Sequence, residues 1–155
     1  MQQYNLPQDC INGFLYTTGM AAKEYAVTRL LYGKNYIEDQ VAYAEYILTP
    51  SAEEILAWKL ASRDNLEKIF HLASVIRDIS CAVPLTQDEQ IGDKIKNCIE
   101  KKIAHITPDY QLRIHKIIYD GFSSLGLNTF ENINLITGLL VEEIIDYDLR
   151  EGNDT

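Results

Sequence analysis

The chain is 155 residues long, enough for one domain that buries about two thirds of its unfolded surface without help from a disulfide or a metal. A 46% share of hydrophobic residues, interleaved with charge, excludes a disordered chain. The net charge of −9 argues against direct nucleic-acid binding, which needs a Lys/Arg footprint for the phosphates.

Three cysteines, Cys10, Cys81 and Cys98, form no framework spacing, and the opening residues lack a basic-then-apolar leader, so a reducing, cytoplasmic setting is expected. No apolar run approaches the roughly 20 residues a membrane-spanning helix needs. Much of the acidic surplus lies between Glu142 and Asp154, where it would steer a basic partner and repel nucleic acid.

Residues 1–18 read ambiguously. Pro7 and Asp9 suit the start of a helix through Cys10, Ile11 and Phe14, whereas Phe14 to Thr18 reads equally well as extended. From Met20, the helix formers Ala21, Ala22, Glu24, Ala26, Arg29, Leu30 and Leu31 predict a helix broken at Gly33. A second helix is expected from Asn35 to Leu48. Tyr25, Tyr32, Tyr36 and Tyr43 follow at intervals of seven, four and seven. Near-continuous helices would make them one aromatic stripe, and tyrosine offers large contact area at small entropy cost. Rings buried at the edge of a core, with wet hydroxyls, are the plainer alternative.

The stretch 49–83 predicts the long helix around which the rest packs. Thr49 reads as its N-cap and Pro50 as its first residue, with Glu53 and Glu54 at the positive end of the dipole. Ile55, Trp58, Leu66, Ile69, Phe70, Ala73, Ile76 and Val83 share one sector of it. Asp64, Glu67, His71 and Asp78 occupy the opposite side as an acidic ridge, with Glu67 and His71 expected as a solvated pair. Pro84 stops it.

Thr86 and Glu89 read as a capping box for a helix carrying Ile91, Ile95, Cys98, Ile99 and Ile103 on one face. Thr107 and Pro108 open the next, with Ile114, Ile117, Ile118, Phe122 and Leu125 directed inward and Gly126 at its end. The last begins at Thr129 and aligns Ile133, Ile136, Leu140, Val141, Ile144 and Tyr147 before an acidic, frayed tail over 149–155. Leu31 to Tyr36, with Tyr46, Leu48, Pro50 and Ala57, resembles a single tetratricopeptide unit, but the pattern does not recur downstream and no repeat array is expected. The fold expected is therefore all-α: one compact antiparallel domain of five to seven helices over 1–155.

No catalytic constellation appears. Gly-x-Ser-x-Gly and phosphate-loop patterns are missing, and Arg63 and His71 are too far apart for the Arg–His spacing of helical ribonucleases. Cys81, Cys98, His105 and His115 contain no close ligand pair of the kind zinc sites use, so buried cysteines and hydrogen-bonded histidines are expected, and no metal or cofactor. The function expected is a small binding protein without enzymatic activity. It would occlude a basic nuclease or nucleic-acid-binding partner, in the manner of immunity proteins or phage and plasmid anti-defence inhibitors, through Glu142, Glu143, Asp146 and Asp148 with Asp64, Glu67 and Asp78 as a second ridge. The alternative is a chaperone or assembly adaptor holding a partner protein through Tyr32, Tyr36 and Tyr43. Self-association stays open, and membrane contact is not expected.

Overall fold

The computed structural model describes residues 4–151, and among them every regular element is a helix. The elements are α1 (Gln8–Gly33), α2 (Ile37–Ile47), α3 (Ala52–Ala61), α4 (Asn65–Ser80), a 3-10 turn (Val83–Gln87), α5 (Gly92–Ile103), α6 (Pro108–His115), α7 (Thr129–Leu140) and α8 (Asp146–Glu151). The helix α6 continues through a π turn (Lys116–Asp120) into a 3-10 turn (Gly121–Ser124), and a second π turn (Val141–Ile145) joins α7 to α8.

The expected long helix over 49–83 is two helices meeting at a turn over 62–64. Ser51, not Thr49, caps α3 by accepting from the Glu54 N–H, while the Thr49 hydroxyl donates to the Glu45 carbonyl. Asp64 caps α4 by accepting from the Glu67 N–H, which fixes the second start and forces the break. The helix α4 still holds the centre, touching α1, α3, α5 and both π turns. It ends at Ser80, before Pro84, which sits in the first turn of the following 3-10 segment.

The other boundaries follow from local chemistry. The ambiguous residues from Gln8 to Thr18 belong to α1, which starts behind Pro7 with Asp9 in its first turn. The end of α1 is made by Asn35, which stands at φ 68°. Its N–H bonds the Tyr32 carbonyl at 2.9 Å while the Tyr36 N–H reaches the Leu31 carbonyl at 3.0 Å, the Schellman pairing. The proposed Thr86/Glu89 box does not form: the Thr86 hydroxyl bonds the Val83 carbonyl, and Asp88 accepts from the Gln90 and Ile91 N–H groups instead. Asn128 caps α7 through the N–H groups of Phe130 and Glu131. Leu149 and Arg150, assigned to a frayed tail, are helical in α8, and residues 152–155 lie outside the described part.

One continuous core unites the helices, including Phe14, Leu72, Ile76, Ile99, Ile103, Ile114, Phe122, Ile136 and Ile144. A π turn inserts one extra residue without breaking the helix, so chain neighbours can both face inward. Ile117 and Ile118 do so in the first π turn, Ile144 and Ile145 in the second. Gly121 admits the close approach of Leu139, whose Cδ1 would lie 2.5 Å from an added Cβ.

The two helices that pack most closely on α1 run in opposite directions relative to it. Thr18 meets Thr137 and Arg29 meets the Gly126 carbonyl, so α1 and α7 oppose each other. Gly13 faces Phe70 and the Tyr32 hydroxyl bonds Asp88, so α1 and α4 run parallel. The α2–α3 excursion returns the chain to the end where α1 began, which is how α4 comes to run parallel to α1 within the expected compact all-α domain.

Candidate functional site

The turn at Asn35 divides the four tyrosines spaced by seven, four and seven. Tyr25 and Tyr32, on α1, point inward. Tyr25 lies edge-on to Phe122 with centroids 5.8 Å apart, and the Tyr32 hydroxyl donates to Asp88 at 2.7 Å. That bond raises the Tyr32 pKa and, with the Ile91 and Gln90 N–H groups, lowers that of Asp88. Tyr32, expected among the partner-binding residues, is thus a strut between α1 and the segment before α5.

Tyr36 and Tyr43 point outward, 56% and 42% exposed, and they are joined by two tyrosines the sequence reading left out of its site, Tyr46 at 78% and Tyr16 at 68%. Tyr36, Tyr43 and Tyr46, spaced by seven and three, share one side of α2, because Ala44 and Leu48 turn into the core and Glu45 is tied to Lys94 of α5. Across from them, Tyr16, Met20 and Glu24 repeat every fourth residue of α1. Tyr36 lines a separate cavity with Glu38 and Asp39, whereas between α1 and α2 lies a groove of about 210 Å³, lined by Tyr16, Met20, Glu24, Tyr43, Ile47, Arg77, Asp78 and Cys81. The i, i+4, i+8 spacing of Tyr16, Met20 and Glu24 was the available signal for it.

Charge in the groove is mostly negative. The Arg77 guanidinium donates to the Asp78 carboxylate through Nε at 3.2 Å and Nη2 at 2.9 Å, leaving Glu24 as a carboxylate on the facing wall. Burial, then Glu24 and Asp78, push the Cys81 thiol up to about 12, so it is not a nucleophile at neutral pH. Burial and Glu24 also raise the Tyr43 hydroxyl. Glu38 and Asp39 are exposed in the first turn of α2.

The expected acidic surfaces are only partly outward. Glu143 is 5% exposed and holds Lys116 through Oε1 and Arg113 through Oε2, the latter at 3.2 Å. Asp148 is equally buried and takes the Tyr110 hydroxyl and the Lys68 ammonium on Oδ1, the ammonium at 2.6 Å. Both therefore direct their charge into the fold. Glu142 is exposed, and Asp146 is half-buried with Arg150 3.9 Å away. In the second ridge Asp64 and Glu67 are exposed, but Asp78 pairs with Arg77 and with Lys102 at 3.1 Å. His71 does not form the solvated pair with Glu67. It packs on Trp58, centroids 5.3 Å apart, with its Nε2 3.5 Å from the Nε2 of His105.

The remaining chemistry-bearing groups are separated. His115 bonds Glu100 at 2.7 Å and leans on Tyr119. It borders a second groove of about 560 Å³ between α6 and the second π turn, where Arg113 stacks 3.5 Å over the Tyr147 ring while its charge is met by Glu143. Cys81, His105 and His115 therefore belong to three different neighbourhoods. Among the described residues no group of three or more His, Cys, Asp or Glu side chains is placed to hold a metal ion, and no helix is long and apolar enough to cross a membrane. No protein-family model, curated protein or solved structure matches the chain.

Proposed function

We propose that the chain is a protein-binding module that takes a basic segment of a partner into the tyrosine-walled groove between α1 and α2. The observation that carries this is the outward display of Tyr16 and Tyr43 on the walls of the groove that holds Glu24, with Tyr46 exposed on the same helix and Tyr36 exposed beside Glu38 and Asp39. Tyrosine supplies large, stiff, amphipathic contact area, and neighbouring carboxylates favour Arg or Lys on the incoming chain. Such a surface suits an adaptor or holding role better than occlusion through the C-terminal acids, because Glu143 and Asp148 face inward. Thiols that stay reduced, and so a cytoplasmic setting, fit the three free cysteines.

The test is retention of proteins from the native host by immobilised wild-type chain, repeated with Tyr16→Ser/Tyr43→Ser/Tyr46→Ser. A true partner is retained by the first and lost with the second, and each central tyrosine is worth about 2 kcal/mol, roughly thirtyfold in affinity. A partner that ignores the tyrosine changes but is lost on Glu142→Lys/Asp146→Lys would move the interface to the C-terminal acids and overturn the reading.

A further inference from the structure

We propose that the cavity between α1, the 3-10 turn (Val83–Gln87) and the segment following α6 is a binding site for a small aromatic carboxylic acid, whose carboxylate pairs with Arg29. The cavity holds about 500 Å³, inside the roughly 300–1,000 Å³ range of small-molecule pockets. Val83, Ile118 and Phe122 are buried and line it together with the half-buried Tyr25, Tyr32 and Tyr119. The rings among them offer faces and edges to a flat apolar ligand. Ile118 and Tyr119 are chain neighbours, and the π turn (Lys116–Asp120) lets both border the same space. Such turns recur at functional sites.

Charge selects the ligand. Among the described residues Arg29 is the one ionised side chain lining this cavity, in a chain whose net charge is −9. Its guanidinium lies 5.3 Å over the Tyr25 ring and donates from Nη2 to the Gly126 carbonyl at 2.6 Å, so it is held in place with most of its N–H donors still to offer. Arg77, Arg113 and Arg150 each face a carboxylate, whereas among the described residues Arg29 has none. The acids that act on the lining tyrosines are already engaged. Asp88 accepts from the Tyr32 hydroxyl and from the Gln90 and Ile91 N–H groups, and Glu100 is bonded to His115. Burial, then Glu100, raises the Tyr119 hydroxyl, which stays protonated and able to donate. A single cation matches a monoanion, and a phosphate dianion would be only half compensated. Guanidinium also fits a carboxylate through paired N–H bonds. Gln87 and Ser123, both exposed, add polar groups at the mouth. The cavity shares no residue with the tyrosine groove, so the two readings stand or fall separately.

The experiment titrates full-length protein with naphthoate by calorimetry, beside its uncharged amide and the non-aromatic acetate. The expected result is one naphthoate per chain with Kd at or below about 1 mM, the amide at least about tenfold weaker, and no measurable heat from acetate. Arg29→Gln should bring acid and amide to within about threefold of each other, while Arg113→Gln leaves the preference intact. In the wild type the Arg29 Nε–H resonance should shift as naphthoate saturates, a readout that stands even if Arg29→Gln fails to fold. Binding that does not saturate by about 5 mM, or equal affinity for acid and amide, would overturn the proposal. So would a preference lost with Arg113→Gln rather than Arg29→Gln, or saturation that leaves the Arg29 resonance unmoved.

Discussion

Lys102 offers the sharpest test of how this fold is held. Its side chain is 3% exposed, and its ammonium lies 2.7 Å from Glu54 Oε1, 3.1 Å from Asp78 Oδ2 and 3.2 Å from the Ile47 carbonyl. Three donors thus meet three acceptors, joining α5 to α3, α4 and the end of α2. Lys102→Met keeps most of the buried volume but leaves two carboxylates without their cation. Removing one partner of a buried ion pair costs about 3–5 kcal/mol. The lower end applies, because the Glu54 side chain is 21% exposed and Asp78 keeps Arg77. A loss of about 3 kcal/mol lowers Tm by roughly 6–12 °C in a chain of this size. Urea unfolding followed by Trp58 emission measures it. Replacing the acids as well, in Lys102→Met/Glu54→Gln/Asp78→Asn, should recover more than about 1 kcal/mol, since no uncompensated charge remains. A single variant within about 1 kcal/mol of wild type, or a triple variant less stable than the single one, would refute the assignment of the penalty to stranded charge. Ile47 and Asp78 also line the tyrosine groove, so the same change should weaken partner binding without touching a tyrosine.

Two glycines give opposite outcomes. Gly92→Ala places a Cβ 2.5 Å from the Thr86 carbonyl oxygen and should destabilise by about 1–3 kcal/mol. Gly19→Ala, inside α1 with nothing within 4 Å, should stabilise by about 0.5–1 kcal/mol; equal urea midpoints for the two variants would refute both. Asn35→Gly removes the strain of a left-handed residue and should raise stability, whereas Asn35→Val should lower it by more than about 1 kcal/mol in the same assay. Because the folded-state pKa values of His71 and His105 lie below the ordinary value of about 6.5, the unfolded chain binds more protons as pH falls past that point. Their contribution to stability is complete above about pH 6.5 and lost as pH drops through the folded values. The urea midpoint of wild type should therefore fall more steeply between pH 7.5 and 5 than that of His71→Gln/His105→Gln, and parallel curves would contradict it.

Helical class and core were legible because they rest on local periodicity: Ile95, Ile99 and Ile103, or Ile136, Leu140 and Ile144, repeat at helical spacing and are buried. The break at 62–64 was legible too, but the continuous apolar sector drawn across 55–83 hid it. Ser51 with Glu54 and Asp64 with Glu67 both stand at cap spacing, and each marks a true start. The end of α1 at Gly33 was legible, whereas the left-handed residue that closes it stands two positions later, at Asn35, and carries no glycine to mark it. What no local pattern could reveal is which carboxylates turn inward. Glu143 depends on Arg113 and Lys116, and Asp148 on Lys68, partners 27 to 80 residues away in the chain.

Inward pairing does not diminish the acidity presented to a partner. Each internal pair removes one charge of either sign, so the formal −9 of the whole chain remains for the exterior to display. What changes is its location, away from Glu143 and Asp148 and toward residues such as Glu38, Asp39, Glu67 and Glu142. A field of that kind acts over about 8 Å in physiological salt and governs how often a basic partner arrives, whereas rings pressed against its surface govern how long it stays. Reversing Glu38 and Asp39 should therefore slow association and flatten its salt dependence, and truncating Tyr43 should speed dissociation at any salt concentration. If both variants altered only the dissociation rate, steering by the exterior charge would play no part and the acidic composition would need another cause.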